Sequence, residues 1–322
     1  MNDLRNEPIL TDSFEAAADF KPEKGSLYVY MASAENRSQH VELWAKNTDV
    51  ALCRIESIAE NSFTVERIGS AFSLRSPNGI SELWTRFPHK GKTYIDITGL
   101  PHAVWASVIR SAINCRLDVA VVYVEPNRYT RSMAPVEGQI YDLSEQITGI
   151  APLPGFVRFS ERPTEDSLFI PLLGFEGARL SYLIEQVQPN NDRIIPIIGC
   201  PGFKPHYVFE SYLGNKRPLL ETSAWHAARY APASCPFSCY YLLQRIAEEN
   251  VGKAMKIALI GTKPHALGAV LFCLATIGRN SELVYDHPIR KVGRTDGTDR
   301  LHVYHISPLV EEVGDLSQRH LH

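Results

Sequence analysis

The sequence predicts an α/β protein made of two tandem, mostly parallel sheets related by an internal duplication, a pseudo-dimer within one chain. Three observations point there. Short apolar runs recur along the 322 residues and are mostly continuous rather than alternating, as in strands covered on both faces. Helical patterns separate them, so strand, helix and strand succeed one another and imply right-handed crossovers in a doubly wound sheet. The second half also repeats motifs of the first in the same order.

Residues 1–24 are polar and irregular and read as an N-terminal extension. The first half, 25–133, opens with the run Leu27–Met31 and continues with strands at Val50–Ile55, Tyr94–Ile97 and Val119–Val124. Pro101 opens a helix whose Val104, Val108, Ile109 and Ala112 share one side. The proline-bearing stretch 134–165 has the composition of a linker or a lid. The second half, 166–322, holds strands at Leu168–Leu173, Ile194–Ile198, Ile257–Ile260 and Leu283–Tyr285. Its helices are expected at Ala178–Val187, Phe237–Ala247 and Pro264–Ile277. His302 and His305 fall on opposite faces of a strand, and His320 and His322 belong to a frayed terminus.

The repeat is read from shared positions. Ser26-Leu-Tyr-Val-Tyr-Met-Ala-Ser-Ala-Glu35 returns as Ser167-Leu-Phe-Ile-Pro-Leu-Leu-Gly-Phe-Glu176, an offset of 141. Ile97-Thr-Gly-Leu-Pro101-His102-Ala103 returns as Ile260-Gly-Thr-Lys-Pro264-His265-Ala266 at 163, and Tyr123-x-x-Pro126 as Tyr285-x-x-Pro288 at 162. Arg128 then matches Arg290, and Arg131 matches Arg294. The growing offset implies about 22 residues inserted in the second half, within 202–236, where the matching breaks down. Two Rossmann-like halves of this kind would be related by an approximate twofold axis, and a site on that axis would receive similar groups from both.

Lys plus Arg number 33 against 36 Asp plus Glu, a formal charge of −3. No global basic field exists to hold duplex nucleic acid, so an anionic ligand has to be caught locally. The N-terminus has neither the basic nor the apolar region of a leader, and the longest apolar stretch, Ala266–Ile277, has 12 residues against the roughly 20 needed to cross a bilayer. A cytoplasmic protein that engages no membrane is expected. The six cysteines lie mostly in apolar segments and predict reduced core thiols. Cys235 and Cys239, with Cys200 and His226 upstream, lack a second tight ligand pair, so no metal is assigned.

Ligands of open parallel sheets bind at the carboxyl ends of the strands, and the duplicated motifs sit there. Gly174, Glu176, Gly177 and Arg179 form a glycine-bearing turn ahead of a helix that offers free N–H groups to an anion. Gly261, Thr262, Lys263 and His265 form a second turn with a hydroxyl and a positive charge. Tyr285, Arg290 and Arg294, with His287, Lys291 and Thr295, form a cationic and aromatic cluster suited to phosphates and a stacked base. The second copy has the richer set, whereas Leu100 stands opposite Lys263, so the main pocket is expected in the second half, with Arg128 and Tyr129 reaching it at most from the rim. The chain shows no Gly-x-x-x-x-Gly-Lys-Ser/Thr loop, no Gly-x-Ser-x-Gly elbow, no His-Glu-x-x-His helix and no Gly-x-Gly-x-x-Gly turn. Binding of a small nucleotide without a cofactor is therefore expected ahead of catalysis. The alternatives are a nucleotide-cleaving or nucleotide-modifying enzyme using Glu35, Glu176, His102 or His265 as acid or base, and a docking subunit.

Ile260-Gly261-Thr262-Lys263-Pro264, after a buried strand and before a helix, resembles the Gly-Thr-Lys signature of CARF domains, and Asp96-Ile-Thr98-Gly99 looks like a degraded copy of it. A tandem pair is similar to SAVED domains, which resemble two fused CARF units. The resemblance covers residues 26–310 in topology but only a few residues in motif. It implies a sensor of a nucleotide-derived signal, cyclic oligonucleotides included, in bacterial antiphage defence, acting through a separate effector protein and open to homo-oligomerisation. The chain departs from the pattern at Leu100 and by carrying no attached effector.

Overall fold

The computed structural model describes residues 10–47, 49–76, 78–136, 139–157, 167–275 and 280–310. Part of the expected N-terminal extension (1–9), parts of the expected linker (137–138 and 158–165), and His320 and His322 lie outside them. The fold is mixed α/β, with two large sheets that combine parallel and antiparallel pairing.

The first sheet is built on four parallel strands, β1 (Leu27–Tyr30), β2 (Ala51–Ala59), β3 (Thr93–Asp96) and β4 (Val119–Val124), side by side as β4-β3-β1-β2. The second is built on β5 (Leu168–Leu172), β6 (Ile197–Gly199), β7 (Arg229–Ala231), β8 (Met255–Leu259) and β9 (Ser281–Tyr285), side by side as β9-β8-β5-β6-β7. With β7 set aside, both follow one order: fourth, third, first, second. The helices are α1 (Ser81–Arg86), α2 (His102–Asn114), α3 (Gly177–Val187), α4 (Tyr207–Glu221), α5 (Pro236–Glu249) and α6 (Lys263–Ala275). α4, a 3₁₀ turn at Ala224–Ala227 and β7 fill the stretch where the repeat breaks off; between β2 and β3 stand instead the strands Ser62–Val65 and Ile68–Ser73 and α1.

Burial explains the continuous apolar runs. Side chains alternate across a strand, and here both faces are covered. Leu27 and Val29 of β1, Val119, Val121 and Tyr123 of β4, and Ile170 and Leu172 of β5 all belong to one core filled by α2, α5 and α6. A single hydrophobic core thus joins the inner faces of both sheets. The outer face of the first sheet, with Tyr28, Tyr94 and Val122, packs under Val41 and Trp44; that of the second, with Phe169 and Ile198, packs under Leu180 and Leu183 of α3 and Leu219 of α4. Every residue of α6 from Pro264 to Phe272 is buried, so this helix is apolar all round because it is a core helix. No helix among the described residues is long and apolar enough to cross a membrane.

The structure departs from the expected organisation in three ways. A strand β10 (Leu301–His305), placed by sequence in the second half, pairs antiparallel with β4 of the first sheet, and Thr11–Phe14 of the N-terminal extension pairs antiparallel with β10. Both sheets are therefore mixed, although the second keeps four parallel pairings to one antiparallel. β4 is buried at all six positions and would otherwise leave a long apolar edge unpaired. The expected linker is strand-bearing: Ser144–Ile147 pairs with Pro288–Arg290, and Ala151–Pro152 extends the second sheet beside β9. The segment after β1, Asn36–Leu43, is 3₁₀, where the matching segment after β5 is the α-helix α3.

Candidate functional site

The carboxyl ends of the two sheets face one cleft. The segment after β1, α2's first turn, the end of β4 and the stretch after it supply Arg37, His102, Tyr123 and Tyr129; the stretches after β5 and β9, the turn after β8 and the start of α6 supply Gly174, Glu176, Gly261, Thr262, Lys263, Arg290 and Arg294. About 80 Å³ of the cleft admits the centre of a water molecule, so it is a narrow slot. Of the eleven residues the sequence singles out, all but Gly177, His265 and Tyr285 line it. The pocket is nevertheless shared by both halves, not confined to the second. Arg128 stays outside it, paired with exposed Asp296 at 2.6 Å.

Lys263 spans the two halves. Its Nζ donates to the carbonyls of Ile97, Thr98 and Leu100 at 2.6, 2.7 and 2.8 Å, in the turn that is the first half's counterpart of its own. Burial, with Arg37, Arg294 and Arg290 nearby and against the opposing pull of Glu35, holds its ammonium well below the usual lysine range. Glu35 is clamped from both sides. Arg37 Nε donates to it at 2.6 Å from its own half, while Arg294 Nε at 2.7 Å and the Thr295 hydroxyl at 3.0 Å donate from the other. Burial opposes ionisation, but Arg37, Arg294 and Lys263 outweigh it and hold the carboxyl at about 2. Arg37 also donates to the Val124 carbonyl at 2.8 Å, which ties the 3₁₀ segment to the end of β4.

In the second half, Arg179 chelates Asp286 through Nε and Nη2 at 2.6 and 2.5 Å, and both side chains are buried. Glu176 accepts from the Leu143 amide at 3.0 Å and the Ser144 hydroxyl at 2.9 Å, so the strand-bearing segment after the first half seals this corner. Arg290 donates to the Tyr285 hydroxyl at 3.2 Å. Tyr285 stacks on His102 with ring centroids 4.6 Å apart. Burial, then Lys263 and the arginines, hold His102 well below its usual value, so it is neutral. Phe175, Tyr129 and Tyr207, which also line the cleft, pack edge to face with centroids 5.1 to 5.7 Å apart.

The remaining expectations resolve locally. A Cβ on Gly177 would run into the Gly214 carbonyl, so this glycine lets α3 approach α4 and does not offer backbone to a ligand. By contrast, Gly174 and Gly261 line the cleft and let the β5 and β8 turns close on each other: a Cβ on Gly174 would stand 2.5 Å from the Ile260 oxygen. His265 is fully buried, its Nε2 3.0 Å from the Pro232 carbonyl, and burial lowers it to about 4. Thr262 donates to the Ala233 carbonyl at 2.8 Å. Cys235 accepts from the Ser238 amide at 3.4 Å as the N-cap of α5, and buried Cys239 faces the His265 carbonyl. Among the described residues no group of three or more His, Cys, Asp and Glu could hold a metal. Arg37, Tyr123, Phe175 and Tyr207 were not legible as site residues, although Arg37 stands two positions after Glu35 as Arg179 stands three after Glu176.

A scan against protein-family models and a search of curated proteins found no match to the chain. The site's geometry therefore carries the functional reading.

Proposed function

We propose that the chain is a duplicated, two-lobed sensor in which Rossmann-like halves form a pseudo-dimer around one nucleotide-binding cleft, similar to CARF and SAVED domains in bacterial antiphage defence. The observation that carries this reading is the convergence, at the carboxyl ends of two sheets of matching strand order, of four arginines, a lysine and a cluster of aromatic rings on one cleft. Buried cations oriented by carboxylates favour phosphate oxygens, and aromatic faces favour bases. The reciprocal clamps on Glu35 and Glu176, each closed by the opposite half or by the segment leading to it, support the duplication. They also couple the cleft to the relative position of the sheets, which is how occupancy would be passed to a separate effector protein.

Binding ahead of turnover is favoured because, of the four candidate acids and bases, Glu35 is held ionised by two arginines, Glu176 accepts from Leu143 and Ser144, and His265 is outside the cleft; His102 alone of the four keeps a ring nitrogen unpartnered there. The test is acid extraction of the purified protein followed by mass spectrometry, with titration against a nucleotide panel. A bound nucleotide returned unchanged is expected; a shortened or modified product would replace the sensor with an enzyme.

A further inference from the structure

Five cations line the cleft: Arg37, Arg179, Lys263, Arg290 and Arg294. Four are engaged. Arg37 and Arg294 share Glu35, and Arg179 holds Asp286. An ammonium has three N–H donors, and Lys263 gives all three to backbone carbonyls across the cleft. Arg290 differs: no carboxylate among the described residues pairs with it, and it donates to the Tyr285 hydroxyl, which leaves most of a guanidinium's five N–H donors free. Beside it stands His102, only 3% exposed, lining the cleft, with Nε2 lacking any partner. Tyr285 joins the two, stacked on the imidazole and bonded to the guanidinium.

The charges set how much anion fits. Against the five cations stand Glu35, Glu176 and Asp286, an excess of two positive charges with Lys263 protonated and one with it neutral. That matches a single phosphoryl group as monoester or diester, and it falls short of a chain of phosphates.

We propose that the cleft takes one phosphoryl group, carried by a ligand of mononucleotide size, at the corner made by Arg290 and His102. This rests on the nucleotide-binding reading and narrows its ligand. Only about 80 Å³ of the cleft admits the centre of a water molecule, so its room suits a small ligand and not an oligonucleotide. An anion beside His102 would also offset the positive charges that keep it neutral.

Isothermal titration of the intact chain with the four nucleoside 5′-monophosphates, their nucleosides, inorganic phosphate and tetranucleotides of each base tests this. At least one monophosphate is expected to bind one to one, with its nucleoside at least about tenfold weaker, and Arg290→Ala is expected to weaken it by roughly 10- to 100-fold, the loss of a charged hydrogen bond. Arg290→Lys should recover part of the loss, and Arg290→Ala should melt as the parent does. A tetranucleotide bound more than tenfold tighter than any monophosphate, and weakened by Arg290→Ala, would overturn the single-phosphate assignment and leave the nucleotide cleft standing. A nucleoside bound as tightly as its monophosphate, or monophosphate binding indifferent to Arg290→Ala, overturns the corner. Silence from every probe removes the cleft reading as well.

Discussion

Lys263 is the residue whose task changes most between sequence and structure. A lysine after a glycine turn reads as a phosphate anchor, yet its three donors close the other half's turn. Lys263→Met should therefore destabilise the fold by about 2–4 kcal/mol, because buried carbonyls lose their donor, and urea denaturation measures it. Arg179→Ala leaves Asp286 buried and uncompensated and should cost about 3–5 kcal/mol in the same experiment. Glu35 gives a pH signature. Its carboxyl is depressed from 4.5 to about 2, so its contribution, about 3 kcal/mol, is complete above about 4.5 and lost as pH falls through 2. Unfolding free energy followed from pH 6 to pH 2 should fall less in Glu35→Gln than in the parent.

At the scale of elements, the contact between α3 and α4 is decided by two glycines. Replacing a helical glycine by alanine normally gains about 1 kcal/mol. At Gly214, inside α4, the added Cβ would meet the Phe175 carbonyl, a backbone atom that cannot swing aside, so the sign reverses. Gly214→Ala should lower the melting temperature and also disturb the cleft, because Phe175 belongs to its aromatic cluster. The strands and most helices were legible because they are written in local periodicity and in prolines at helix starts. The 3₁₀ segment at Asn36–Leu43 carries no apolar stripe, since its buried residues include Arg37 and His40, which satisfy tertiary partners.

The whole molecule is bound by a core that passes from one sheet through α2, α5 and α6 to the other. β10 adds a covalent return from the second sheet to the first. Two domains folding independently would unfold in two steps, whereas a shared core predicts one. Denaturant transitions followed by fluorescence of Trp105, within the shared core, and of Trp225, near α4, in single-tryptophan variants should coincide; separated midpoints would restore independent halves.

The sequence by itself determined the α/β class, most of the parallel strands and eight of the residues lining the cleft, because burial and turn chemistry are local properties of a chain. Tertiary structure alone decided which cations are free and which are spent. Lys263 and Arg290 look alike in the sequence, but one finds three carbonyls more than 160 positions away and the other finds a tyrosine hydroxyl five positions away. The same holds for β10, whose place was set by the exposed edge of β4 rather than by its own residues. A charge's availability depends on what faces it after the halves pack, and no periodicity within a segment encodes its distant partner.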